Sequence, residues 1–238
     1  MAIEVFNRVE KKYLIDESTY QTFRELIEPY METDAFCSDD KFYSINNIYY
    51  DTDTNELIRN SIEKPVYKEK LRLRSYGIPT PDDMVFLEIK KKFNGVVNKR
   101  RTVIGLSRAY DLLDNGIVPD ERDYLNMQVV RELKYFIGFY NPVPKLFLKY
   151  DRKALFGKED RDLRITFDKN IRTRRDNLRL EAGDDGELLL EEGTLLMEIK
   201  TTTSFPLWLT SILTKYEIKG VSFSKYGTEY KKFIQGAR

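Results

Sequence analysis

The chain of 238 residues contains no histidine. That excludes Ser-His-Asp and Cys-His nucleophiles, imidazole acid–base chemistry and His-ligated zinc. Any catalysis falls to carboxylates, lysine, arginine, tyrosine and a hard metal on oxygen ligands. There is one cysteine, Cys37. It cannot form an internal disulfide, and such sparing use fits a reducing cytoplasm, the expected location. Cys37 sits among Asp and Ser in a loop-like stretch and reads as a spectator thiol. No apolar run is long enough to span a bilayer. Met1-Ala2-Ile3-Glu4-Val5-Phe6 lacks the basic start and apolar core of a signal peptide. Net charge is nearly absent as well, at +1 from 40 Lys+Arg and 39 Asp+Glu. A balanced total can still hide a segregated distribution.

What is present is charge at a two-residue period. Val85-Phe86-Leu87-Glu88-Ile89-Lys90 and Leu195-Leu196-Met197-Glu198-Ile199-Lys200 carry the same Glu-Ile-Lys ending. Residues two apart share one face of a β-strand. Arg8-Val9-Glu10-Lys11-Lys12, Lys70-Leu71-Arg72-Leu73-Arg74 and Arg164-Ile165-Thr166-Phe167-Asp168 follow the same pattern. Several strands therefore carry charge on one face and apolar side chains on the other.

The pattern predicts strands near 4–15, 42–50, 66–76, 84–92, 97–104, 145–155, 163–173 and 195–201. Asn94-Gly95 is a strong hairpin signal. Helices are expected from Ser18 (as N-cap), near 54–62, 107–115, 123–139, 205–217 and 223–235. Residues 176–194 are acidic and glycine-containing and read as a hairpin or mobile loop. No stretch resembles a flexible linker, so residues 1–238 are expected to form one domain. The class is α+β: a closed antiparallel β-barrel of about eight strands, forming a basic tunnel and flanked by helices. Leu71, Leu73, Leu87, Ile89, Ile165, Phe167, Met197 and Ile199 are its expected outer packing layer.

By strand parity the inward set holds Arg8, Glu10 and Lys12; Lys68, Lys70, Arg72 and Arg74; Glu88, Lys90 and Lys92; Lys99 and Arg101; Tyr150 and Arg152; Arg164, Thr166 and Asp168; Glu198 and Lys200. Cations outnumber anions on these faces. Two like charges about 4 Å apart repel by roughly 4 kcal/mol at an effective dielectric near 20. So dense a set opposes folding unless a polyanion or counterions occupy it. Arg forks and Lys point charges both suit phosphate oxygens, and the few carboxylates suit Mg²⁺ or Mn²⁺. Lys99-Arg100-Arg101 and Arg172-Thr173-Arg174-Arg175 lack an aromatic-interleaved RNA motif, so nucleic acid is not the expected partner. Trp208 and Leu209 are expected to pack rather than to enter a membrane.

The ordered series R-V-E-K-K-Y-L-I (8–15), I-Y-Y-D-T (48–52), K-L-R-L-R-S-Y-G (70–77), F-L-E-I-K (86–90), N-K-R-R (98–101), L-K-Y-D-R (148–152), L-R-I-T-F-D (163–168), L-M-E-I-K (195–200) and S-F-S-K-Y (222–226) resembles the VTC-type polyphosphate polymerase domain of the triphosphate tunnel metalloenzymes. The resemblance implies a basic β-tunnel. It also implies transfer of the γ-phosphoryl group of ATP onto inorganic polyphosphate, with Mn²⁺ or Mg²⁺. It assigns phosphate binding at the reacting centre to Lys12, Arg72, Arg74, Lys90, Lys99, Arg152 and Arg164. Tyr150 adds a hydroxyl contact and Lys225 lies near a tunnel mouth. Arg8, Lys200 and Arg101, on the same faces, are further phosphate contacts. Glu198 is the implied metal ligand, with Glu10 and Glu88 as additional candidates.

The related triphosphatase branch opens with E-x-E-x-K. Here Arg8 occupies the first position, which disfavours a two-metal triphosphatase. Ser222 stands where some eukaryotic members carry a second lysine. The chain resembles a free-standing prokaryotic form that works with a separate membrane protein. A tunnel hydrolase acting on triphosphate or nucleoside triphosphates, and a non-catalytic polyphosphate-binding module, remain the alternatives.

Overall fold

The structure is a computed structural model and describes residues 5–6, 9–35, 37, 41–122 and 125–236. In chain order the elements are β1 (Val5–Phe6), β2 (Val9–Asp16), α1 (Glu17–Ile27), β3 (Met31–Thr33), β4 (Tyr43–Asp51), α2 (Glu56–Ile62), β5 (Tyr67–Tyr76), β6 (Met84–Phe93), β7 (Val96–Gly105), α3 (Leu106–Asn115), α4 (Met127–Tyr140), β8 (Val143–Gly157), β9 (Arg164–Arg174), β10 (Glu187–Leu188), β11 (Thr194–Thr201), α5 (Leu207–Lys215), β12 (Gly220–Val221) and α6 (Lys225–Gly236). Asn94 and Gly95, both at positive φ, turn β6 into β7, as the Asn-Gly signal predicts. The first long helix starts earlier than expected. Asp16, not Ser18, is the N-cap of α1; its carboxylate accepts from the Thr19 amide at 2.7 Å.

All strands belong to one antiparallel sheet in the order β1-β7-β6-β5-β4-β8-β9-β11-β2-β12, with β3 beside β8 and β10 beside β9. The expectation of a closed eight-stranded barrel is corrected. Twelve strands take part, and among the described residues the ladder is open, ending on β1 and β12. The sheet nevertheless curls. β6 and β2 stand six places apart, about 29 Å in a flat sheet at ~4.8 Å per strand. Yet Lys90 on β6 is near enough to Glu10 on β2 to lower its pKa. The chain also requires the curl: β1 at one end precedes β2, near the other, by only two residues.

The outer face is apolar and helix-covered. Leu71, Leu73, Leu87 and Ile89 pack with α3 and α4 through Ala109, Leu112, Val129, Val130 and Leu133. Ile165, Phe167, Met197 and Ile199 pack with α1 and α5 through Tyr20, Phe23, Ile27 and Leu209. All eight residues of the expected outer layer are essentially inaccessible. Each such burial is worth roughly 1.5–3 kcal/mol, which holds the alternation in register. Trp208 stacks on Tyr30 at 4.3 Å, and Leu209 is buried.

The inner face is not uniformly polar. Ile45, Leu146, Leu148 and Leu196 also point inward, and α2 and α6 cover them with Ile58, Tyr226 and Tyr230. Leu146 and Leu148 share the parity of Tyr150, and Leu196 that of Glu198, so one face carries both charge and apolar side chains; on β9 the parity itself changes at an irregularity opposite Lys149/Asp151, with Asn170 at positive φ. Past it, Ile171 rather than its even-numbered neighbours joins the inner cluster. α6 therefore lies inside the curl and narrows it to a charged groove.

Candidate functional site

The groove is built by ladder neighbours. Lys70 stands opposite Lys90, and Lys90 opposite Lys99; Arg72 faces Glu88. Across the sheet, Glu198 faces both Lys12 and Thr166, and Arg152 faces Asp168. These pairings fix which charges meet.

One group forms around Glu88, which is 2% exposed. Arg72 Nε donates to its Oε2 at 2.5 Å, Lys99 Nζ lies 2.6 Å from Oε1, and Arg74 Nε is 4.0 Å away. Burial pushes the Glu88 carboxyl up, but Arg72, Arg74 and Lys99 outweigh it and hold it far below the usual range. Arg72 Nη1 also donates to the Tyr49 hydroxyl at 3.3 Å. Arg74 donates from Nε to Asn47 Oδ1 at 2.9 Å and from Nη2 to the Tyr150 hydroxyl at 3.0 Å.

A second group forms around Asp168 and Glu198. Arg152 grips Asp168 with two bonds of 2.6 and 2.7 Å. Lys225, the first residue of α6, donates to Asp168 Oδ2 at 2.5 Å and lies 3.5 Å from Glu198 Oε1. Lys225, expected near a tunnel mouth, also lies over the Tyr150 ring at 4.5 Å. Lys200 donates to Glu198 Oε2 at 3.1 Å, and Lys12 lies 3.6 Å from Oε1. Burial pushes Glu198 up; Lys225, Lys200, Lys12 and Arg152 overcome it and hold the carboxyl well below its ordinary value. Glu10 reaches the same two lysines, at 3.3 Å from Lys12 and 3.7 Å from Lys200.

Other expected contacts fall at the margins. Arg164 lies over Phe156 and 3.8 Å from Asp34. Arg101 is exposed, over Phe86 at 5.0 Å, with no ion pair among the described residues. Lys90 is exposed within the groove. Arg8 lies outside the described residues. The two basic runs have structural explanations. Arg100 pairs with Glu132 on the outer side, Arg174 donates to the carbonyls of Asn177, Arg179, Gly183 and Asp185, and Arg175 grips Glu229.

Among the groove residues that escaped the sequence-based site assignment are Asn47, Tyr49 and Asp168. Asp168 was placed on the inward face but given no role. Asn47 and Tyr49 share one parity of β4, which mixes apolar and amide side chains and so carries no charge signal. Their significance is visible only through Arg74 and Arg72.

No group of three or more His, Cys, Asp or Glu side chains that could hold a metal occurs among the described residues. A full protein cage is therefore absent there. Mg²⁺-type sites, however, commonly use one or two carboxylates and complete themselves with substrate phosphates. Glu198 and Glu10, flanking the same lysines, fit that arrangement. The Thr166 hydroxyl, 1% exposed, opposite Glu198 and without a partner, adds an oxygen beside it. Glu88 fits less well: Arg72 and Lys99 hold its oxygens at 2.5 and 2.6 Å, whereas the lysines around Glu198 stand 3.1–3.6 Å away.

The curled antiparallel sheet thus turns Lys, Arg and Glu toward its own hollow. This chain belongs to the VTC domain family, whose profile matches residues 7–234. Among curated proteins none matches the chain significantly in sequence. Among solved structures it is similar to a candidate adenylate cyclase from Bacillus halodurans, with TM-score 0.55 and 15% identity over 91% of this chain and 93% of that one. A candidate adenylyl cyclase from Hippeastrum, described as having a dominant triphosphatase activity, gives 0.53 and 15% over 94% and 96%. A candidate adenylate cyclase from Vibrio parahaemolyticus gives 0.52 and 15% over 95% and 98%. At this identity the likeness establishes the fold alone.

Proposed function

We propose that this protein is a metal-dependent polyphosphate polymerase that transfers the γ-phosphoryl group of ATP to a polyphosphate chain held in the groove. The observation that carries the reading is the inward convergence of Arg72, Arg74, Lys90, Arg152, Lys12, Lys200 and Lys225 around a few carboxylates, in a chain of the VTC domain family.

In the reaction, a terminal phosphate oxygen of the chain attacks the γ-phosphorus and the bond to the β,γ-bridging oxygen breaks. ADP leaves and the chain grows by one phosphate. The nucleophile is already an anion, so no strong general base is required, which a protein without histidine could not readily supply. Positioning and charge neutralisation carry such a transfer. Arg72, Arg74 and Arg152 present guanidinium forks to phosphate oxygens. Glu88, Asn47, Tyr150 and Asp168 hold those forks in place. Lys12, Lys90, Lys99, Lys200 and Lys225 supply point charges. Glu198 and Glu10 would hold Mg²⁺ or Mn²⁺, which when bound neutralises phosphate oxygens.

The test is incubation of the purified protein with ATP and Mn²⁺. Long-chain polyphosphate and ADP should accumulate together. Glu198→Gln should lower the rate by about 10²-fold or more, as loss of a group that stabilises the transition state does. Release of inorganic phosphate without chain growth would sink the polymerase reading in favour of a tunnel hydrolase.

A further inference from the structure

The cations of the groove fall into two sets. Lys12, Arg72, Lys99, Arg152, Lys200 and Lys225 each have a carboxylate within ion-pair distance. Around the start of β5 the arrangement changes. Lys68 stands directly opposite Lys92 in the ladder, and Lys70 directly opposite Lys90. Among the described residues none of these four has a carboxylate partner, and neither has the exposed Lys64 just before β5. Like charges facing each other across a ladder are destabilising, so the native protein maintains an unfavourable rung. Burial and the neighbouring Lys92 and Lys64 depress the Lys68 pKa. Burial, Lys90, Lys68 and Lys12 bring Lys70 down to about 8, despite the opposing pull of Tyr49. Lys68 is not loose: its Nζ donates to the Ser61 carbonyl of α2 at 3.1 Å, which aims it.

Geometry then sets the length of the ligand. Arg74, Arg72, Lys70 and Lys68 alternate along one face of β5, a row of six residues' rise, or about 20 Å. That is far longer than a triphosphate. A short ligand seated between Arg72, Arg74 and Arg152 leaves the Lys68–Lys92 rung uncompensated; a longer chain covers it.

We propose that Lys68 and Lys92, extended by Lys64, form a tail subsite for linear polyphosphate, which makes the groove selective for chains longer than triphosphate. This rests on the polyphosphate reading above and adds a direction: the reacting end lies toward Glu198 and Asp168, and the tail leaves past the β5–β6 end with Lys68 and Lys92.

Binding rather than turnover tests it. The affinities of the wild-type chain and of a Lys68→Ala/Lys92→Ala variant are measured for triphosphate and for long-chain polyphosphate at one fixed salt concentration. The variant should bind long-chain polyphosphate at least tenfold more weakly, with triphosphate affinity changed less than twofold. Its melting temperature without ligand should be unchanged or higher, since a like-charge rung has been removed. Equal losses for both ligands, or unchanged affinity for the long chain, would overturn the subsite. A Lys68→Gln/Lys92→Gln variant, which retains side-chain volume, must give the same pattern. If ATP yields no polymer but the length-dependent loss appears, the polymerase reading fails and the subsite stands.

Discussion

Tyr49 shows how the groove acts on a single side chain. Its ring packs at a tilt against Tyr226, centroids 4.9 Å apart, and its hydroxyl accepts from Arg72. Burial alone pushes the phenol up. Arg72, Lys70 and Arg74 outweigh burial and bring it down to about 8. The folded value lies below the ordinary value of 10.0. Ionisation of Tyr49 therefore adds no stability at pH values well below 8. Its contribution grows as pH rises from about 8 and is complete above the unfolded value, about 10. The phenolate absorbance of the apo protein should show a step near pH 8 that Tyr49→Phe removes. Bound triphosphate should move that step upward, because it offsets the same cations. A step unaffected by Tyr49→Phe would mean that the groove cations do not act on this residue. Nothing in the local sequence Ile48-Tyr49-Tyr50-Asp51 separates this tyrosine from Tyr50, which faces the outer core and is pushed the other way by burial.

At the scale of elements, α2 and α6 are joined through Asp51. Its carboxylate accepts from the amides of Leu57 and Ile58 at 2.8 and 2.9 Å, so it caps α2 from outside the helix. Its Oδ2 also accepts from the Tyr226 hydroxyl at 3.2 Å. The residue at the formal cap, Asn55, makes no side-chain capping bond. Asp51→Ala removes a cap and leaves a buried hydroxyl without its partner, a loss of about 2–3 kcal/mol. Urea denaturation should show it, and Tyr226→Phe should cost clearly less. Equal effects from both would place the stabilisation in the Tyr226 bond rather than in the cap. The boundaries of most long elements were legible, since each carries its period, its turn residues or its cap. Asp16 displaced Ser18 as the α1 cap because the choice depends on which oxygen reaches the Thr19 amide. The two-residue strands β1, β10 and β12 were not legible, because so short a segment has no period to read.

At the scale of the whole molecule, cations enclosed by a curled sheet oppose the fold unless an anion joins them. Triphosphate at about 100 times its dissociation constant should raise stability by roughly 2.7 kcal/mol. The gain should shrink as salt is raised, because screening weakens attraction at the groove's open parts. A melting temperature indifferent to triphosphate at low salt would count against every phosphate-binding reading of this groove. No helix among the described residues is long and apolar enough to cross a membrane.

The amino-acid sequence alone determined the two-faced strands: which residues face the helices and which face the hollow follows from a period of two. It also excluded histidine-based chemistry, and with it most routes to a strong general base. Only the tertiary structure decided which charges meet. Glu88 pairs with Arg72 and Lys99, whereas Lys68 is left facing Lys92, and no spacing along the chain distinguishes the two cases. Lys225 reaches Asp168 only because α6 folds back inside the curl. Parity is local and survives in the one-dimensional pattern. Register, curl and the return of a distant helix depend on contacts between residues far apart in the chain.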